Sequence, residues 1–220
     1  QTRPEEKRIL VRCNAIGTAG FAADAAALRS LPVDGVMLPK CESASDIDAF
    51  ADAVPQGEIV PLIETALGVL RLEEIATASP RVRQAAFGSV DFGLDLGTGW
   101  TPEGDERLHA MGRIALLSRA LRLEPPIDAV FPVLDDVEAF RADARKGRRI
   151  GFGSKMVIHP RQVEWLAELY RPSDAEREWC RRAVAAYEAA GAAGALTVDG
   201  RLVDRPVYLR ARQILAAETA

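Results

Sequence analysis

Six short runs of consecutive apolar residues, rich in β-branched types, punctuate the chain: Ile9 to Val11, Gly35 to Leu38, Ile59 to Ile63, Ala85 to Val90, Ile127 to Val133 and Phe152 to Ile158. Continuous apolarity, as opposed to strict alternation, marks strands buried on both faces, the condition of a parallel sheet covered by helices. Between the runs, apolar residues return at three- and four-residue spacing over Phe21 to Leu31, Ala44 to Val54, Leu67 to Ala78, Glu106 to Leu123 and Val137 to Lys146, the period of amphipathic helices. Strand starts recur at a near-constant interval, broken by one longer gap after Asp91, where a glycine-rich loop through Gly99 is expected. Strand, helix, strand, helix in this rhythm predicts right-handed βαβ units in series. Cap signals agree: Ser43 stands before Asp46 in capping-box spacing, and Asp135 or Asp136 can start the helix that follows Pro132.

Beyond His159-Pro160 the pattern changes. A helix from Arg161 to about Tyr170 breaks at Arg171-Pro172, and a second helix is capped by Ser173 or Asp174. The small-residue stretch Ala189 to Ala195 reads as a hinge, followed by a β segment, Leu196 to Val203, turned at Asp199-Gly200, and a last helix from about Pro206 to Ala217. The expected division is a (β/α)-barrel over residues 1–172 with six βα units and a C-terminal appendage over 173–220.

In parallel β/α folds functional groups collect at the C-terminal ends of strands. Here the residues closing the apolar runs are polar: Arg12 and Asn14, Lys40 and Glu42, Glu64, Asp91 and His159. Neighbouring strands lie ~4.8 Å apart, so Glu64 and Asp91 can present two carboxylates to one ion, and hard oxygens suit Mg²⁺. Each acid also has a structural reading, Glu64 as a helix cap, although Thr65 is the better one, and Asp91 as a turn residue. Arg12 offers a fork for a substrate carboxylate or a partner for a nearby acid, and Lys40 a phosphate or carboxylate contact or a solvated charge. His159, before a proline and a helix, reads mainly as a structural hydrogen-bonding residue. The segment Gly151-Phe152-Gly153-Ser154-Lys155 lacks P-loop spacing and leads into a strand, so it is read as the approach to that strand.

Composition narrows the field. The chain has 220 residues, 48% of them hydrophobic, enough for one sizeable core. With 28 basic against 32 acidic residues and no basic run interleaved with aromatics, nucleic acid is not an expected partner. No apolar stretch approaches the ~20 residues of a membrane span, and Gln1 to Arg8 lacks a secretory apolar core, so a cytoplasmic location and no membrane partner are expected. Cys13, Cys41 and Cys180 show no metal-ligand spacing, and with only His109 and His159 as imidazoles any metal site is pushed toward oxygen ligands, and so toward Mg²⁺, Mn²⁺ or Ca²⁺.

Six segments together resemble the citrate lyase β subunit-like lyases of the HpcH/HpaI aldolase superfamily, which includes citryl-, malyl- and citramalyl-CoA lyases. They are Val11-Arg12-Cys13-Asn14 (VRVN in the family), Val36-Met37-Leu38-Pro39-Lys40 with Glu42, Ile63-Glu64-Thr65-Ala66 with Gly68, Gly88-Ser89-Val90-Asp91-Phe92, Ile158-His159-Pro160 with Gln162, and Asp199 through Pro206. The resemblance covers nearly the whole chain. It implies an α/β fold, the (β/α)8 TIM barrel, apparently without its first two strands in this chain, since members carry a further N-terminal segment with an acidic stretch beside the metal. It implies Mg²⁺ on Glu64 and Asp91, and Arg12 on a substrate carboxylate with help from the backbone around Gly88, Ser89 and Val90; Lys40 is kept as a substrate-binding candidate on the residue reading above. It also implies that Asp204, by itself a turn acid, serves as acid/base in a neighbouring subunit of a homotrimer or larger homo-oligomer. Cys13 departs from the family's β-branched residue at little cost in volume. The implied activity is a Mg²⁺-dependent carbon–carbon lyase that reversibly cleaves a 3-hydroxyacyl-CoA into acetyl-CoA and a 2-oxo acid. A CoA-independent aldolase of 4-hydroxy-2-oxo acids and a non-catalytic binding protein for a CoA ester or 2-oxo acid stand as alternatives.

Overall fold

The computed structural model describes residues 7–191 and 194–216. The expected hinge falls partly on residues 192 and 193, and the extreme N-terminus and the end of the last helix on 1–6 and 217–220, outside the described residues. The chain divides into two compact units, Gln1–Leu166 and Ala167–Ala220.

In the first unit six parallel strands pair in chain order: β1 (Leu10–Arg12), β2 (Gly35–Leu38), β3 (Glu58–Ile63), β4 (Ala86–Phe87), β5 (Ile127–Asp128) and β6 (Ser154–Lys155). Each falls within or overlaps one of the six apolar runs, and the sheet curls into a half-barrel. Between the strands run α1 (Ala19–Leu28), α2 (Ala44–Ala53), α3 (Ala66–Leu70), α4 (Leu72–Thr77), α5 (Ser89–Leu96), α6 (Leu108–Ala120) and α7 (Val137–Ile150), with α8 (Pro160–Tyr170) beyond β6. The capping box forms as the sequence predicts, Ser43 accepting from the Asp46 N–H while the Asp46 side chain accepts from the Ser43 N–H. Such a cap stabilises the helix by about 1 kcal/mol.

Successive strand residues point to opposite faces, and the sheet carries two apolar clusters accordingly. Val36, Leu38, Ile59, Ile63 and Phe87 pack with helical residues such as Phe50, Leu72, Ile75 and Ile114 in the large cluster. Met37, Val60, Leu62, Ala86 and Ile127 form the small cluster on the opposite, concave face. Arg12 and Gly88 fall on the concave parity, since Arg12 pairs in register with Met37 and Gly88 lies two residues beyond Ala86. Glu64, two residues past Leu62, shares it.

Two readings of the sequence need correction. The segment Leu67 to Ala78 is not one helix but two, meeting at Arg71, whose φ of −98° and ψ of 11° break the helical path. More consequentially, the fourth apolar run is strand only over Ala86–Phe87. From Ser89 the chain is helical, so Asp91 stands in the first turn of α5 and not at a strand end, and the glycine-rich loop begins only after Leu96. A continuous apolar run does not distinguish a buried strand from a buried helical turn.

The second unit contains α9 (Asp174–Ala189), a hairpin of β7 (Leu196–Val198) and β8 (Arg201–Val203), and α10 (Arg205–Ala216). The turn falls on Asp199 and Gly200, both at positive φ (51° and 74°), the geometry that an Asp-Gly hairpin turn supplies. Ala183, Tyr187 and Val203 form its core, and the Tyr187 and Tyr208 rings stack at 4.7 Å.

Candidate metal centre

Glu64 follows β3 directly and is 4% exposed, so its carboxylate is held out of water at the mouth of the concave face. Two neighbours define its immediate environment. The Lys40 backbone N–H donates to Oε1 at 2.9 Å. Lys40 has φ of 51°, a left-handed conformation costly for a lysine, and this conformation accompanies the amide's approach to the carboxylate. On the other side stands Gly88, where a Cβ would lie 2.7 Å from both Cβ and Oε2 of Glu64. Glycine there leaves the carboxylate the space it occupies.

Asp91, half-exposed on α5, is the second acid. Its Oδ1 lies 3.6 Å from the Lys40 ammonium. Burial pushes the Glu64 carboxyl above the usual carboxylate range, and the Asp91 charge adds to the shift, while the Lys40 N–H, the Lys40 charge and the Arg12 guanidinium oppose it. Arg12, Lys40, Glu64 and Asp91 therefore interact electrostatically, with Gly88 in contact with Glu64. The donors present are carboxylate oxygens, one of them desolvated and repelled by the other, an arrangement that a hard divalent cation relieves. The residues fit Mg²⁺. Among the described residues no cluster of three or more His, Cys, Asp or Glu side chains is placed to hold a metal, so any further ligands to an ion on this pair would come from elsewhere.

The helical start at Ser89 directs the N–H groups of Ser89, Val90 and Asp91 out of the first turn of α5, where no intrahelical acceptor exists. Ser89 is 3% exposed and its hydroxyl meets no partner among the described residues. The remaining candidates make local hydrogen bonds. His159 accepts the Arg161 N–H at Nδ1, 3.2 Å, and Gln162 of the same motif bridges the Ile158 N–H and the Phe131 carbonyl. Asn14 donates to Asp24 from backbone and side chain. Thr65 caps α3 by accepting the Gly68 N–H. Asp204, in the second unit, caps α10 by accepting the Val207 N–H at 3.1 Å. Among the described residues no helix is long and apolar enough to cross a membrane.

Sequence reasoning missed two features here. The Lys40 amide carries no sequence signature beyond a lysine after Pro39. A buried ionic cluster behind the sheet involves Lys155, which donates to Asp128 at 2.8 Å, to Asp143 at 2.6 Å and to the Ala129 carbonyl at 2.7 Å, while Arg107 reaches Asp143 at 2.8 Å. Its members are scattered over the chain and surface only on folding.

The profile of the HpcH/HpaI aldolase/citrate lyase family matches residues 2–160. A (3S)-malyl-CoA thioesterase of Cereibacter sphaeroides is 35% identical over 213 residues, spanning 96% of this chain and 74% of that protein. A citrate lyase subunit beta-like protein of Deinococcus radiodurans is 36% identical over 219 residues, 96% of this chain and 75% of its own. Among solved structures, the protein CitE of Mycobacterium tuberculosis in complex with magnesium, acetoacetate and coenzyme A superposes with a TM-score of 0.84 at 34% identity, covering 96% of this chain and 78% of that one.

Proposed function

Because this chain belongs to the HpcH/HpaI aldolase/citrate lyase family, we propose that it is a Mg²⁺-dependent carbon–carbon lyase that reversibly cleaves a 3-hydroxyacyl-CoA into acetyl-CoA and a 2-oxo acid. The observation that carries the reading is the Glu64 carboxylate, held by the Lys40 amide, given room by Gly88 and raised in pKa by burial, with the charge of its neighbour Asp91 adding to the shift. Citrate lyase β relatives and the magnesium complexes of CitE support it. The curled parallel sheet is proposed to be of the (β/α)8 barrel class, in a homotrimer or larger homo-oligomer with a cytoplasmic location.

Glu64 and Asp91 would hold the ion, which when bound supplies a Lewis acid for the substrate's oxygens. Arg12 binds the carboxylate of the acid half and fixes its orientation. Lys40 balances Asp91 and adds positive charge beside the substrate. The N–H groups of Ser89 and Val90 supply hydrogen-bond donors to a carboxylate oxygen. Cleavage breaks the bond between the α carbon of the thioester and the hydroxyl-bearing carbon. The hydroxyl oxygen gives up its O–H proton to solvent and its carbon becomes the carbonyl of the 2-oxo acid, while the electron pair of the broken carbon–carbon bond passes to the thioester as an enolate. Asp204 of a neighbouring copy delivers a proton to that carbon, so one proton leaves and one arrives. In condensation Asp204 takes the proton back.

A second reading has support in the malyl-CoA thioesterase relatives: hydrolysis of the thioester, releasing free CoA and a hydroxy acid. One assay separates them. Malyl-, citryl- and citramalyl-CoA are incubated with enzyme and Mg²⁺, and products are resolved by mass. Acetyl-CoA with an oxo acid supports the lyase; malate with free CoA supports hydrolysis. Glu64→Ala and Asp91→Ala are expected to abolish Mg²⁺-dependent turnover with the fold retained. Full activity of both variants in EDTA removes the metal assignment.

A further inference from the structure

The helix α5 carries two aspartates four residues apart, Asp91 in its first turn and Asp95 in its last, so both stand on one side of the helix. Helix electrostatics disfavour the second. Like charges at this spacing repel one another, and the C-terminal turn, where the carbonyl dipoles gather negative charge, is the wrong end for an acid. Asp95 is exposed, and among the described residues no cation pairs with it. What offsets the disadvantage is a contact from elsewhere in the chain: its Oδ2 accepts the Ala66 backbone N–H at 2.7 Å.

Ala66 opens α3, two residues after Glu64, and its N–H has no acceptor inside that helix. The same stretch meets α5 a second time, where the Gly88 N–H donates to the Ile63 carbonyl at 2.9 Å. Ile63 and Ala66 flank Glu64 in one segment, and Gly88 and Asp95 flank Asp91 in the other. Two hydrogen bonds thus bracket both acids of the metal centre and fix how far apart their segments stand. The first is made by backbone alone. The second depends on one carboxylate. The far end of α5 is anchored independently: the Gly93 carbonyl accepts the N–H groups of Thr98 and Gly99 at 3.0 and 3.2 Å, and Trp100 beyond them packs on the Phe131 ring at 5.3 Å and under the Arg107 guanidinium at 5.2 Å. The helix therefore keeps its place on the body without Asp95, and what the Ala66 contact governs is its position relative to Glu64.

We infer that Asp95 is a positioning residue for the metal centre: by holding the Ala66 N–H it sets the separation of Glu64 and Asp91 that a shared cation needs. The inference rests on the metal reading of that pair. Asp95 is not itself a third ligand, since among the described residues no three His, Cys, Asp or Glu side chains are grouped to hold an ion. Two carboxylates repel one another until the cation arrives, so the backbone beneath them must be tied for the pair to stay at the ion's distance. Ligands already held there bind the ion more tightly, because less ordering remains to be done on binding.

The test measures binding of Mg²⁺ alone by calorimetry, without substrate, beside the melting temperature of each variant. Asp95→Ala removes the acceptor and Asp95→Ser shortens it by one bond. Both are expected to weaken Mg²⁺ binding about tenfold while the melting temperature moves by only a few degrees. Asp95→Asn keeps an oxygen at the same reach without the charge, and its affinity is expected to stay within about twofold of wild type. A residue that only caps α3 lowers the melting temperature of Asp95→Ala and Asp95→Ser and leaves their Mg²⁺ affinity unchanged, and that result overturns the inference. So does an Asp95→Asn as weak as Asp95→Ala, which makes the charge and not the hydrogen bond the active property. No Mg²⁺ binding by wild type, or undiminished binding in Glu64→Ala and Asp91→Ala, overturns the metal reading and the inference with it.

Discussion

Replacing Lys155 by Met tests whether the ionic cluster behind the sheet is a closed network. The ammonium has three donors and all are used, on Asp128 Oδ2, Asp143 Oδ2 and the Ala129 carbonyl, in a setting where Lys155, Asp128 and Asp143 are 7%, 2% and 6% exposed. Methionine fills most of the volume but satisfies none of these acceptors. Asp143 keeps Arg107, whereas Asp128 keeps only the Ala129 N–H, so one buried carboxylate loses its cation. Breaking a buried pair by removing one partner costs about 3–5 kcal/mol, against a net stability of about 5–15 kcal/mol, and the unit containing it should melt about 10 °C lower. Burial already pushes the Asp128 carboxyl above the usual range against the pull of Lys155. A carboxyl with a raised folded pKa holds its proton better in the folded than in the unfolded chain, so stability falls as pH rises from the unfolded value near 3.9, and without Lys155 the fall is steeper. The deficit of Lys155→Met, measured by urea unfolding, should thus be larger at pH 7.5 than at pH 5. Adding Asp128→Asn to Lys155→Met should recover at least half of it. A deficit below about 1 kcal/mol at both pH values, or no recovery in the double variant, refutes the network account.

Two further outcomes follow from the same geometry. In Gly88→Ala the new Cβ collides with Glu64 at a position whose φ of −109° any residue adopts, so the effect should fall on the site more than on the backbone: Mg²⁺ affinity by calorimetry should drop about tenfold or more while the melting temperature moves by only a few degrees, and unchanged affinity removes Gly88 from the site. Burial pushes the Cys13 thiol up to about 11, with Asp24 adding to it, and the Cys41 thiol up to about 12, with Asp46 adding to it. At pH 8 their thiolate fractions are then about 10⁻³ and 10⁻⁴, so iodoacetamide should leave both unmodified in the folded protein and label both in urea. The folded chain retains these thiol protons where the unfolded chain releases them, so stability should decline as pH climbs above about 8.5; stoichiometric labelling of either thiol in the native state contradicts the burial described.

The strands and most helices were legible because burial on both faces and the helical period leave marks on single segments: Gly35–Leu38 is a strand from end to end as read, and Ser43 and Thr65 cap where their spacing suggests. Asp91 was placed correctly in the chain but on the wrong element, because Ala85 to Val90 offers the same apolar run to a strand and to a helix start. From the residues alone Arg12, Lys40, Glu64 and Asp91 were legible as strand-end polar groups with a paired-carboxylate reading for Glu64 and Asp91, and the family motifs grouped them into one site, but their mutual contacts were not legible. The Lys155 cluster and the packing around Trp100 were not legible at all, since their partners lie far apart in the chain and carry no local pattern.

Lys40 joins two separable functions in one residue. Its main chain orients Glu64 and its side chain faces Asp91, and the left-handed backbone ties the first to a conformation that glycine or asparagine would adopt more readily. Drift at this position is therefore partitioned: a change of side chain alters the charge facing one acid while the amide continues to serve the other, so the centre can be retuned electrostatically without being dismantled.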